Sequence, residues 1–331
     1  VYLRNLIKVL LLSIGILSAS FSTALAQDNK IKVSADEAEA MKKIEKAKTL
    51  AEKIKATEDF LKKYPKTPAR GQAAEYLAGQ IAQVKDDAQV IQSGETYVTI
   101  FTEPAEVDLV LPSLVYSYSA SNRAKDAFAT GEKYFSRHPE DVALRVKLAI
   151  EGSNLLRTGT KDFAVQSRDY ATQAIELIES NKKPANLDDA RWKEYQTKYL
   201  PQLYQSLGVY EFNAGDKAKA RANLEKATSL EANDINSWIL LSSLIDEEYQ
   251  ELANKYNAAD NGVARNELLK QANEKLDQLI DMFARIVALT DGKPEAKQAN
   301  EQIRQSLESY YQYRHKNLDG LPALINKYKS K

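Results

Sequence analysis

Two histidines, His138 and His315, are the only imidazoles available to shuttle protons or hold a metal. His138 precedes Pro139 at an inter-helix turn, and His315 lies in Tyr313-Arg314-His315-Lys316 near a helix end. Solvated or helix-capping roles are expected for both. No Gly-x-Ser-x-Gly or His-Glu-x-x-His string occurs, which removes the nucleophile-elbow and zinc-protease patterns. The adjacent carboxylates Asp188-Asp189 and Glu247-Glu248 remain as acid/base candidates. Neighbours on a helix point about 100° apart, so such pairs make solvated faces rather than an acid and a base across one bond. Asn257–Gly262 resembles a calcium loop in outline, but Ala259 holds the third place and Leu268 the twelfth, where oxygen ligands are needed. No Gly-rich strand-to-helix loop exists to cradle phosphate. The chain has no cysteine, which excludes disulfides, thiolate metal sites, a cysteine nucleophile and a cysteine-borne lipid anchor. Neither catalytic residues nor a metal or cofactor is expected.

What stands out instead is tyrosine, with 18 residues. Tyr310-Tyr311-x-Tyr313 and the series Tyr195, Tyr199, Tyr204, Tyr210 suit peptide or glycan contact, or packing between helices, because tyrosine offers a large amphipathic area. The elements that must carry these residues are helical. Gly and Pro are few, at 12 and 9 in 331 residues, and alternating β-branched runs are nearly absent. Ser34-x-x-Glu37 opens the first helix as a capping box, followed by one apolar stripe through Met41, Ile44, Ala47, Leu50-Ala51 and Ile54. Tyr97–Phe101 has strand-like composition but runs on from a helical pattern and stops at Pro104, so it reads as a helix end. Leu144–Leu156 is amphipathic, Arg157-Thr158-Gly159-Thr160 ends it, and Phe163–Ile178 resumes. The loop 181–186 is the clearest break, a candidate junction of two sub-arrays near 180–187, with Asn186 capping the helix that carries Trp192. Beyond Trp238 the helices lengthen, to about Tyr256 and then to Leu289. Asp291-Gly292-Lys293-Pro294 stops the second, Ala296–Tyr313 follows, and Leu318–Tyr328 forms a short cap with Leu321, Leu324 and Ile325 inside.

One stretch has finer structure. In Leu200–Asp234, small and apolar residues fall at Leu207-Gly208, Gly215-Asp216, Ala220, Leu224, Ala227 and Leu230, and Trp238 starts the next unit in phase. Leu114, Tyr118, Ala127 and Pro139 repeat the spacing of Leu207, Glu211, Ala220 and Ala232, with Asn122-Arg123 at the turn. Phe60–Pro65, Ala74–Ala78, Lys85-Asp86-Asp87 and Ala174–Leu177 are shorter matches. This pattern resembles the tetratricopeptide repeat (TPR) family, whose unit is a helical hairpin of about 34 residues. It departs from the family at Glu211, where an aromatic is usual, and at Ala232, where a Pro usually closes the unit. Each small residue has a mechanical reason: Gly208, Ala220 and Ala227 let two helices approach closely, and Gly215 supplies the turn.

The resemblance implies an all-α, TPR-like right-handed α-solenoid of roughly five to six helical hairpins with a C-terminal capping helix. It also implies a groove lined by the first helix of each hairpin. Carried onto this chain, the lining residues are Gln205, Val209, Phe212 and Asn213, then Ile239, Ser243 and Asp246, with Tyr116 and Ser119 as upstream counterparts. The carboxylate clamp of chaperone-binding TPRs would need Lys, Arg or Asn at 205, 209 and 239, and it is missing. The implied function is a non-catalytic scaffold that binds a protein or peptide as an extended segment or helix. A glycan- or envelope-polymer-binding helical protein is the alternative. A helical-solenoid hydrolase would need a buried carboxylate in a cleft, which no segment offers.

The first 26 residues read as a signal peptide: Arg4 and Lys8, an apolar core Val9–Leu17, and Ala24-Leu25-Ala26 as the cleavage site. The expected mature chain is 27–331, exported to the periplasm or secreted from a bacterium, with no membrane-spanning segment after cleavage. Two of the 46 basic residues lie in the leader, leaving 44 against 46 acidic. That balance gives no basic excess to recommend a nucleic-acid partner.

Overall fold

The computed structural model describes residues 31–329. The expected leader at 1–26 lies outside these residues. Every regular element among the described residues is helical. The chain divides into two compact units, with the boundary between Leu144 and Arg145.

The first unit opens with α1 (Ala35–Lys46), and the expected capping box is formed in both directions between Ser34 and Glu37. The apolar stripe does not continue as one helix. Ala47 ends α1, and Thr49 starts α2 (Leu50–Lys63) with a second capping box, Thr49-x-x-Glu52. The reason is local: Thr49 offers its hydroxyl to the Glu52 N–H, and Glu52 accepts from the Thr49 and Lys48 N–H groups. Then come α3 (Arg70–Ala82) and α4 (Asp87–Ile100), the latter capped by Asp86 and ending at Phe101 as expected. The short α5 (Pro104–Asp108) leads to α6 (Leu111–Ala120) and α7 (Ala124–Phe135). Gly94 on α4 lies so close to α6 that a Cβ there would stand 2.6 Å from Leu114 Cδ2. Asp141 accepts from the Leu144 N–H at 2.9 Å to start α8 (Val142–Arg157), which carries the chain across the boundary.

The second unit continues with α9 (Ala164–Glu179) and α10 (Asp189–Glu194). The helix carrying Trp192 is capped by Asp188, not Asn186: the Asp188 carboxylate accepts from the Arg191 N–H at 2.7 Å, which also gives the Asp188-Asp189 pair a structural use. A π-helical turn, Tyr195–Tyr199, joins α10 to α11 (Leu200–Asn213). Next come α12 (Lys217–Leu230), α13 (Ile235–Ala258) and α14 (Val263–Thr290). The unit closes with α15 (Lys297–His315) and α16 (Leu321–Lys327). The loop 180–187 lies within this unit.

Consecutive helices pack as hairpins, α6 on α7, α11 on α12, α13 on α14 and α14 on α15 among them. Three first helices end in the same way. Asn122, Gly159 and Gly215 have φ of 59°, 98° and 84°. The following N–H reaches back across the turn, Arg123 to Tyr118 O, Thr160 to Leu155 O and Asp216 to Glu211 O, at 2.8–2.9 Å. This closure satisfies the orphan carbonyls of a helix end and reverses the chain. Within α11 and α12, Gly208 sits against Leu224: a Cβ would meet Leu224 Cγ at 2.6 Å. At the far end, Leu276, Ile280, Ala284, Val287 and Leu307 form a core that Leu321 and Ile325 of α16 complete, with Leu324 packed against it. The Tyr328 hydroxyl donates to Asp281, and the Arg285 guanidinium lies 4.2 Å from the Tyr328 ring and 4.5 Å from the Trp238 ring.

Candidate functional site

No helix among the described residues is long and apolar enough to cross a membrane, and no three His, Cys, Asp or Glu side chains among them cluster as metal ligands would. His138 has a partner the sequence concealed. Its Nε2 lies 2.9 Å from Asp108, whose carboxylate also accepts from Nε and Nη2 of Arg137. Asp108 is a buried carboxylate after all, 8% exposed. Burial raises its pKa, but the hydrogen bonds of Arg137 and His138 prevail and hold it below the usual carboxylate value. The His138 ring stacks on Tyr134 at 4.3 Å, and the Tyr134 hydroxyl donates to Asp141. This cluster ties α5 to the turn before α8. The His315 ring lies tilted against Tyr311, centroids 4.3 Å apart. Glu247 pairs with Lys217 at 2.9 Å, and Glu248 with Arg221 and Lys275, so these carboxylates pin α13 to α12 and α14.

The expected lining residues separate into three kinds. Gln205 and Val209 are each 8% exposed. Gln205 spends its whole amide inside the unit: Oε1 accepts from Arg157, and Nε2 donates to Asp234 and Ser237. A buried amide needs those partners, and they lie on α8 and at the start of α13. This network sets α11 beside α13 but offers Gln205 little surface. Phe212 is 45% exposed, and Asn213 and Ser243 are exposed. Ile239 and Asp246 are half-buried, as are Tyr116 and Ser119 on α6 of the first unit. Ile239, Ser243 and Asp246 share one face of α13, at spacings of four and three residues.

That face runs into α15. The Tyr310 hydroxyl donates to Asp246 Oδ1 at 2.8 Å. Gln250 Nε2 donates to the same oxygen at 3.4 Å and to the Tyr310 hydroxyl at 3.3 Å. The Tyr310 ring meets Tyr249 edge-on at 5.7 Å and stacks on Phe283 at 6.0 Å. Burial first, then the bond to Asp246, pushes the Tyr310 hydroxyl up to about 12, so it remains a donor. Burial also raises Tyr249, helped by Tyr313 and Asp246 beside it. Tyr313 is 56% exposed. Tyr249 and Gln250 were not singled out by sequence; the usable signal was their i+3 and i+4 spacing from Asp246.

No family model matches this chain. No curated protein matches it either. Among solved structures, PilF of Pseudomonas aeruginosa is similar over 78% of this chain and 97% of its own, at 12% sequence identity and a TM-score of 0.37.

Proposed function

We propose that this protein is an exported, non-catalytic scaffold of TPR type that binds a polypeptide along the open face of α11 and α13. The observation that carries the reading is Phe212. It stands 45% exposed on a helix whose Leu203, Leu207 and Tyr210 are all buried. An exposed aromatic at the end of a well-packed hairpin is a natural anchor for a partner side chain. Ile239, Ser243 and Asp246 on α13 offer apolar and polar groups on one helix face, the mixture an extended segment or helix needs.

The test is affinity capture from a bacterial envelope extract with residues 27–331 as bait. A second bait carries Phe212→Ala and Ile239→Ala, and circular dichroism checks that both are folded. The expected result is a protein held by the first bait, lost from the second, and bound again when purified. Equal capture by both baits would refute the α11–α13 face. Export is checked separately, by locating the full chain in cell fractions; a cytoplasmic pool alone would refute it.

A further inference from the structure

We infer that Asp246, Tyr249, Gln250, Tyr310 and Tyr313 form a receptor for a single arginine side chain presented by the partner. The inference rests on the scaffold reading and adds the chemistry of one contact.

Asp246 differs from the acidic residues around it. Glu247, Glu248 and Glu251 are all ion-paired to lysine or arginine. Among the described residues, Asp246 takes part in no ion pair, and its hydrogen-bond donors are the neutral Tyr310 and Gln250. Both donate to Oδ1, which leaves Oδ2 free to accept from outside. The carboxylate is half-buried and has only neutral donors beside it, and in a site partly shielded from water a cation is attracted more strongly than in bulk solvent. The walls beside it are aromatic. Tyr249 and Tyr310 are fixed edge-to-face, Phe283 covers one face of Tyr310, and Tyr313, near enough to Tyr249 to raise its pKa, presents an exposed ring. Tyrosine faces attract cations, and Lys316 already rests over one face of Tyr313, its Nζ 4.9 Å from the centroid.

A carboxylate oxygen and tyrosine faces together select a cationic group. The planar guanidinium suits both better than an ammonium, because it stacks on rings and is weakly hydrated. A glycan would also stack on tyrosine and could donate a hydroxyl to the carboxylate, but as a neutral ligand it would leave the negative charge unbalanced.

The probe is N-acetyl-arginine amide, with the citrulline amide as its neutral isostere. Residues 27–331 carrying fluorinated tyrosine report binding by fluorine NMR, and the Tyr313→Phe variant assigns that resonance. Arginine amide is expected to shift the Tyr313 signal saturably and citrulline amide to leave it in place. Asp246→Asn should weaken binding about tenfold or more, the loss of one charge-assisted hydrogen bond. The same variant should still melt cooperatively with unchanged helicity by circular dichroism, since the amide oxygen can still accept from the Tyr310 hydroxyl. Equal shifts with citrulline, unchanged binding in Asp246→Asn, or a chitin oligosaccharide binding where arginine does not would each overturn the inference. If arginine has no effect while capture still depends on Phe212 and Ile239, this inference fails and the scaffold reading stands. If arginine binds but capture is indifferent to Phe212 and Ile239, the reverse holds.

Discussion

The hairpins Leu111–Phe135 and Leu200–Leu230 lie in different units, yet they superimpose in sequence at a shift of 93 residues. The turn residues correspond, Asn122 with Gly215, both at positive φ. The closing bonds correspond too, Arg123 N–H to Tyr118 O and Asp216 N–H to Glu211 O. Even the caps of the next helices match, Asp141 with Asp234. The interiors do not match residue for residue. Gly208 faces Leu224 in the second hairpin, whereas the corresponding positions in the first are Val115 and Gly131, both buried. Large and small have changed sides. The aromatic is displaced as well. Tyr118 is buried in the first hairpin, while its counterpart Glu211 is half-exposed and the neighbouring Tyr210 is buried, donating to Ala149 O. The two hairpins therefore share turn geometry and a large-against-small pairing, not the identity at each site, as expected of close-packed interiors.

The strongest way to break that comparison is Gly208→Val. The new Cβ would stand 2.6 Å from Leu224 Cγ, so about 2–3 kcal/mol of stability should be lost in chemical denaturation. Adding Leu224→Gly transposes the pair to the Val115/Gly131 arrangement. A favourable coupling of about 1–2 kcal/mol in the double-mutant cycle is expected, and additivity would refute the volume exchange.

Next is Asp108, which has no acidic counterpart in the second hairpin, where Pro201 holds the corresponding place. Asp108→Asn should cost about 2 kcal/mol, the scale of hydrogen bonds to a charged group. Its pH dependence has a definite sign. The folded-state pKa is depressed, so the stabilisation is complete above the ordinary carboxylate value of about 4 and is lost as pH falls through the lowered one. Acid titration of stability should flatten in the variant.

Asp234→Ala should cost about 1–2 kcal/mol and Asp141→Ala about 1, because Asp234 caps α13 and also holds Ser237 and Gln205. Equal losses would mean that the Gln205 network adds no more to the Asp234 cap than the Tyr134 hydroxyl adds to that of Asp141. Last, Gly215→Ala should lose about 1 kcal/mol at its left-handed φ, while Asn122→Gly should shift stability by a few tenths at most. Thermal denaturation of the pair resolves the difference.

A third hairpin shows where reading the chain stopped short. Gly152 on α8 and Gly159 in the turn after it repeat the spacing of Gly208 and Gly215, and Gly152 packs against Ser167 of α9. The match was obscured because the connection from Gly159 to α9 is longer than that from Gly215 to α12. Only the end of α9, Ala174–Leu177, was legible as a repeat. Similarly, the stripe from Met41 to Ile54 concealed the break at Ala47, since apolar spacing alone does not register a cap.

Sequence alone determined the helical class, the Ser34–Glu37 capping box, the turns at Asn122 and Gly215, the long helices after Trp238 and the closing cap at 321–327. Each depends on residues within about four positions of one another, where backbone hydrogen bonding and side-chain reach are local. Tertiary structure alone decided that Gln205 faces inward, that Asp108 is buried beneath Arg137 and His138, and that Asp246 meets Tyr310. Those partners stand 29 to 64 residues apart in the chain. Stacking one hairpin on the next sets their distance, and no local rule reaches that far.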